Sequence, residues 1–199
     1  MKPMTKSWLR ARRRARKLLG DRRGVAAVEF AIIVPVMLVL FFGVDEFSSV
    51  VAVDRKVTLM ARTLSDLTSQ NESVSNAQLT NFFNASTAIM TPYPAAPVRS
   101  TITELYVDPT TKEARVQWSQ GAAPRANGTT VIIPDALKVG DTYLIFSEVT
   151  YRYIPTVGYV MAKAGINLSD ATFTRPRQSL CVVYPAPAPG AALPGCSKL

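Results

Sequence analysis

The hydrophobic positions of this chain change their period twice. From Val25 to Val44 apolar or small side chains follow one another, with Glu29 the single charged residue among twenty. At about 1.5 Å per helical residue, such a run covers the roughly 30 Å hydrocarbon core of a bilayer. Val50, Val53, Val57, Met60, Ala61, Leu64 and Leu67 then recur at three- and four-residue steps, the one-sided stripe of a helix continuing to about Thr68. No Gly or Pro interrupts the pattern after Gly43. It predicts one rod of roughly 65 Å, its first half in lipid and its second against a folded domain. Pro35 removes one backbone hydrogen bond, a fault that membrane helices tolerate.

Beyond the rod, a polar segment from Ser69 to Val74 precedes a second helix. Ser75 and Gln78 have capping-box spacing, and Leu79, Phe82, Phe83, Ser86, Ile89 and Met90 form its stripe before Pro92 and Pro94 end it. The period then falls to two. Arg99–Val107 and Glu113–Ser119 flank Asp108-Pro109-Thr110-Thr111 and predict a hairpin, with Ala114, Val116 and Trp118 alternating with Arg115 and Gln117. The longest expected strand is Thr142–Ile154, where Tyr143, Ile145, Val149, Tyr151 and Tyr153 share a face opposite Glu148 and Arg152. Those aromatics read as sheet packing in preference to a binding platform. A short helix or turn is expected at Val157–Ala164 and a last strand at Arg177–Tyr184, before a Pro/Ala/Gly tail. The organisation expected is a leader (1–24), a spanning helix (25–44), its extension (45–68), an α+β domain with an antiparallel sheet (69–184) and the tail (185–199).

Charge orients this plan. The first 23 residues hold ten Lys or Arg against one acid, Asp21, a net of +9 that equals the charge of the whole chain. Beside a spanning helix this is a positive-inside signal, placing the N-terminus in the cytoplasm and everything after Val44 outside. The same arginines could bind acidic lipid or nucleic acid in isolation. Nucleic acid is disfavoured because no stacking aromatics are interleaved with them. A removable secretory signal is disfavoured too. Its apolar region is normally about 7 to 15 residues and ends at a small-x-small site, whereas this run is longer and leads into Asp45, Glu46 and Phe47.

Cys181 and Cys196 are the chain's two cysteines, and an even count in an extracytoplasmic domain favours pairing. Two free thiols are the alternative. A closed loop of this size would stabilise by about 3 kcal/mol on the chain-entropy estimate. With no histidine, neither a Ser-His-Asp arrangement nor a His-ligated metal is available, and two thiols alone cannot complete a four-ligand zinc site. No nucleophile-elbow, phosphate-loop or His-Glu-x-x-His motif occurs, and the adjacent Asp45 and Glu46 do not face one another on a helix. The expectation is a protein without catalysis, metal or cofactor. Asn-x-Ser/Thr triplets begin at Asn71, Asn84, Asn127 and Asn167, and matter only in a glycosylating host.

Glu29 is the most informative residue, because an acid near a membrane-helix centre costs roughly 2.5 to 3.5 kcal/mol and implies a partner. A basic leader, Gly24, a small-residue run, Glu29 five positions on, Phe30 after it, and then an apolar helix containing Pro35 resemble the organisation of type IV pilin-like precursors. The string Arg-Gly-Val-Ala-Ala-Val-Glu-Phe-Ala-Ile-Ile-Val-Pro is similar to the TadE family of minor pseudopilins from bacterial tight-adherence (Flp) pili, over about Arg22 to Phe47. The resemblance implies a bacterial inner-membrane subunit of pilus assembly whose partners are a prepilin peptidase, other pilin-like subunits and the assembly machinery. It implies cleavage between Gly24 and Val25, leaving Glu29 and Phe30 as the fifth and sixth mature residues. Tight-adherence pilins often carry Tyr where this chain has Phe30, and some longer family members keep their N-terminus. The new Val25 amine, an α-amino group that ordinarily titrates near pH ~8, could neutralise Glu29 of a neighbouring subunit and set helix register. A carboxylate this close to the boundary could instead snorkel to headgroup water. A permanently anchored periplasmic binding or sensory domain is the other reading that the sequence leaves open.

Overall fold

The computed structural model describes residues 24–155 and 165–199, so the basic leader and the turn expected at Val157–Ala164 lie outside the described residues. The chain divides into two units after Phe47. One helix, α1 (Val25–Ser69), provides the described part of the first unit and opens the second. Its 45 residues end one position beyond the expected Thr68.

Within the second unit the helical stripe does what its spacing demands. Val53, Val57, Met60, Ala61 and Leu64 are fully buried. They pack with Ile102, Trp118, Ile145, Val149, Tyr151 and Tyr153, which lie on one face of a sheet. Helix α2 (Asn76–Thr87) begins at the predicted capping box, with Gln78 N–H donating to Ser75 Oγ at 3.3 Å and Ser75 N–H to Gln78 Oε1 at 2.9 Å. It passes into a 3-10 turn at Ala88–Met90, whose Ile89 carbonyl, like that of Thr91, accepts from Lys56 Nζ at 2.8 Å.

The sheet has five strands, β1 (Val98–Val107), β2 (Ala114–Gly121), β3 (Thr130–Val131), β4 (Thr142–Tyr153) and β5 (Ile166–Thr174). Their spatial order is β3-β2-β1-β4-β5, and every neighbouring pair is antiparallel. The architecture is α+β, as the pattern predicts. The long β1 and β4 lie inside, paired with each other from Val98 opposite Tyr151 to Val107 opposite Thr142. The second face buries Leu105, Val107, Ala114, Val116, Leu144 and Phe146 beneath the β2–β4 connection, which contributes Ile133.

Two expectations are corrected. Ala114 and Val116 do not share a face with Trp118. The β1–β2 register shifts between Glu104 and Leu105, so that Glu104 faces Trp118 while Leu105 faces Val116, leaving Gln117 as the extra residue. Such a bulge flips the parity of every later side chain, and Trp118 turns into the α1-facing core while Val116 stays on the other side. Gln117 is itself buried, its Oε1 accepting the Leu199 N–H at 3.0 Å. The last strand is the second correction. Residues 177–184 make one isolated bridge, Ser73 with Val183, and the fifth strand is instead Ile166–Thr174, paired with β4.

Candidate functional site

Gly24 immediately precedes α1, Val25 is the first helical residue, and Glu29 and Phe30 follow within its second turn. Around this point the helix shows apolar surface on all sides: Val28 is 60 % exposed, Phe30 69 %, Ile32 66 % and Val36 57 %. In a water-soluble unit this would leave a large unfavourable surface, and a helix apolar all round belongs in lipid or inside a larger assembly. Mean hydropathy reaches 2.7 over its apolar window, and α1 is the one described helix long and apolar enough to cross a membrane. It is compatible with a single-pass anchor. Glu29 is exposed on it, one helical repeat from Val25 and from Ile33, so the three occupy one side of the helix.

Among the described residues no packing requires glycine at position 24. A Cβ built there would meet nothing within 4 Å. Glycine at this position is therefore not explained by packing, in contrast with Gly121, whose added Cβ would stand 2.3 Å from the Ser100 carbonyl oxygen at a φ of +135°.

The domain holds a second concentration of chemistry, which the hydrophobic pattern alone does not reveal. Glu104 is buried at the middle of β1, and its Oε1 accepts the Val182 N–H at 2.6 Å. The Val182 carbonyl in turn accepts the Trp118 indole N–H at 2.7 Å. Burial pushes the Glu104 carboxyl up to about 8, against the opposing influence of the Val182 amide and Trp118. An acid flanked by Thr103 and Leu105 in a strand of β-branched and apolar residues was the available signal. The burial comes from the tail, whose docking depends on contacts far apart in sequence. Glu104, Trp118 and Val182 are all buried, so the arrangement ties β1, β2 and the tail to one another. Among the described residues no group of three or more His, Cys, Asp or Glu could hold a metal ion.

With this geometry in place, the stretch from the start of α1 to its buried half can be compared with known proteins. Residues 24–64 match the TadE-like protein family. The match begins at Gly24, takes in Glu29, Phe30 and Pro35, and ends at Leu64, one of the helix residues packed on the sheet. The TadE-like segment thus spans both the exposed apolar part of α1 and most of its core-forming stripe. No curated protein and no solved structure matches the chain.

Proposed function

We propose that this protein is a noncatalytic minor pilin-like subunit that assists assembly of tight-adherence pili. The observation that carries the reading is the coincidence of the TadE-like match with a helix whose residues 25–44 are apolar on every side and are interrupted by one carboxylate, Glu29. Such a helix has two compatible surroundings, the bilayer and a bundle of similar helices, and a subunit that moves between them needs both.

In this reading the +9 leader stays in the cytoplasm, residues 25–44 cross the inner membrane, and the α+β domain with its disulfide lies on the periplasmic side. A prepilin peptidase cuts between Gly24 and Val25. Gly24 suits a narrow site before the scissile bond, and packing among the described residues supplies no competing reason for glycine. The ammonium released on Val25 neutralises Glu29 of a neighbouring subunit, compensating a charge that would otherwise be costly in low dielectric. Phe30 stands beside it as part of the recognition sequence.

Mass spectrometry of the N-terminus tests the reading. A mature chain beginning at Val25 is expected in cells that contain the peptidase, and a bulky residue in place of Gly24 should leave the longer precursor. An intact leader in wild-type protein would instead identify a permanently anchored domain.

A further inference from the structure

The last nineteen residues are held in two different ways. The first stretch is woven into the domain: Val182 is fully buried, its N–H donates to Glu104, and Val183 exchanges backbone bonds with the segment after α1, Val74 N–H to Val183 O at 2.9 Å and Val183 N–H to Glu72 O at 3.0 Å. Ala186 N–H adds a bond to Val74 O at 2.9 Å. The final stretch has no such weave. Ser197, Lys198 and Leu199 are exposed and rest on the domain through the Tyr143 hydroxyl donating to Ser197 O at 2.8 Å, Lys198 Nζ on Asp141 at 2.6 Å, and Leu199 N–H on Gln117. Contacts of this kind at an exposed terminus are each worth about 1 kcal/mol or less, and the ordering of the terminus opposes them. The covalent tether behind them is the Cys181–Cys196 disulfide, which closes a loop of sequence separation 15.

The two sulfurs are unequal. Cys181 is 3 % exposed and sits against Tyr106 and Tyr143, whereas Cys196 is only partly buried at the rim of that cluster. We infer that Cys196 is the attack point for a dithiol reductant, and that residues 187–199 form a disulfide-held flap whose release uncovers Tyr106, Tyr143 and Gln117 while the domain stays folded. In the reaction a reductant thiolate attacks Cys196 Sγ and forms a mixed disulfide, and Cys181 leaves as a thiolate that takes up a proton. The reductant's second thiol, as its thiolate, then displaces Cys196 Sγ, which is likewise protonated. Two electrons pass from the dithiol to the protein, and the reductant ends as its own disulfide.

The surface beneath the flap is distinctive. Tyr106 and Tyr143 lie with ring centroids 5.0 Å apart, Lys198 Nζ stands 5.4 Å from the Tyr106 ring, and Asp141 accepts the Tyr106 hydroxyl at 3.0 Å. Withdrawal of residues 197–199 leaves a tyrosine pair beside a carboxylate without its Lys198 partner, and Gln117 Oε1 without its Leu199 donor, while Gln117 Nε2 keeps its bond to the Arg115 carbonyl at 3.1 Å.

The test uses the full-length protein in detergent micelles, oxidised and after dithiothreitol, with carboxypeptidase digestion and hydrogen exchange read by mass spectrometry. Reduction should open residues 187–199 to carboxypeptidase and raise exchange at Leu199 by about fivefold, the protection that a contact of about 1 kcal/mol supplies. Exchange at Val182 and Val183 should stay slow. Cys196→Ser should behave as the reduced protein without reductant. Equal digestion of oxidised and reduced chains, or continued resistance of the reduced chain, would overturn the inference. So would loss of protection at Val182 on reduction, since the disulfide would then be a staple for the whole domain.

Discussion

Ser147 Oγ, on β4, donates a hydrogen bond of 2.5 Å to the main-chain carbonyl of Ala61 in α1. One turn further along the helix the direction reverses, and Ser65 Oγ of α1 reaches the Ile145 carbonyl at 3.3 Å and Thr174 Oγ1 at 2.8 Å. Small hydroxyl residues at the crossing let helix and sheet approach closely, and the reciprocal bonds fix the axial position of α1 on the sheet. The Ala61 carbonyl also has its ordinary helical partner four residues on. Ser147→Ala should therefore leave no orphaned acceptor and cost about 0.5 to 1.5 kcal/mol. Ser147→Leu should cost more, by forcing the helix from the sheet. Chemical denaturation followed by Trp fluorescence measures both.

Glu104 makes domain stability depend on pH in a defined direction. Its folded pKa of about 8 lies above the unfolded value of 4.5. Its contribution is thus complete below about 4.5 and is lost progressively as pH rises towards 8, at up to about 1 kcal/mol per pH unit. Glu104→Gln keeps an oxygen acceptor for the Val182 N–H and removes the titration. The variant's stability should be flatter than wild type between those limits. A wild-type curve with the same slope as the variant's would show that Glu104 does not govern this range.

Gly121 closes β2 where the backbone passes the Ser100 carbonyl, and Ala122 N–H donates to that oxygen at 2.8 Å. Gly121→Ala meets both the clash at Cβ and an unfavourable backbone conformation, so it should destabilise the domain by about 1 to 3 kcal/mol. Gly24→Ala, with open space around it, should leave thermal unfolding unchanged. The contrast between the two is read in one melting experiment.

For the proposed pilus role, Glu29→Gln should insert at least as well as wild type, because the acid costs roughly 2.5 to 3.5 kcal/mol near a membrane-helix centre. Cleavage after Gly24 should persist and surface pili should be lost in a strain lacking the native copy. Normal piliation would rule out the ammonium pairing. Loss of both cleavage and piliation would assign Glu29 to recognition by the peptidase.

Local chemistry made much of this fold legible. The stripe from Val53 to Leu64, the Ser75–Gln78 cap, the β1–β2 hairpin and β4 follow from period and turn residues, and each lies close to its expected place. The bulge at Gln117 was not legible, because the sequence alternates perfectly through it and only the pairing with β1 reveals the extra residue. Strand β5 was missed for a different reason. Asn167, Ser169 and Asp170 make it polar, as suits a strand at the sheet's margin, whereas Cys181, Val182 and Val183 are apolar because the tail docks in the core. The motif alone singles out Gly24, Val25 and Glu29 as candidates, whereas Glu104 acquires its environment from a segment 78 residues away.

That distance also sets a schedule for synthesis. The Val182 N–H and carbonyl join Glu104 and Trp118, and Val183 joins Glu72 and Val74, so one short segment near the chain's end completes hydrogen bonding begun more than a hundred residues earlier. A nascent chain that stops before Val182 presents Trp118 without its carbonyl acceptor and Glu104 without its backbone donor, beside an uncovered strip of core. The domain therefore reaches its final form only once Val182 and Val183 have been made, long after α1 has left the ribosome. Truncation by some twenty residues would remove the keystone and leave a helix of full length with nothing finished behind it.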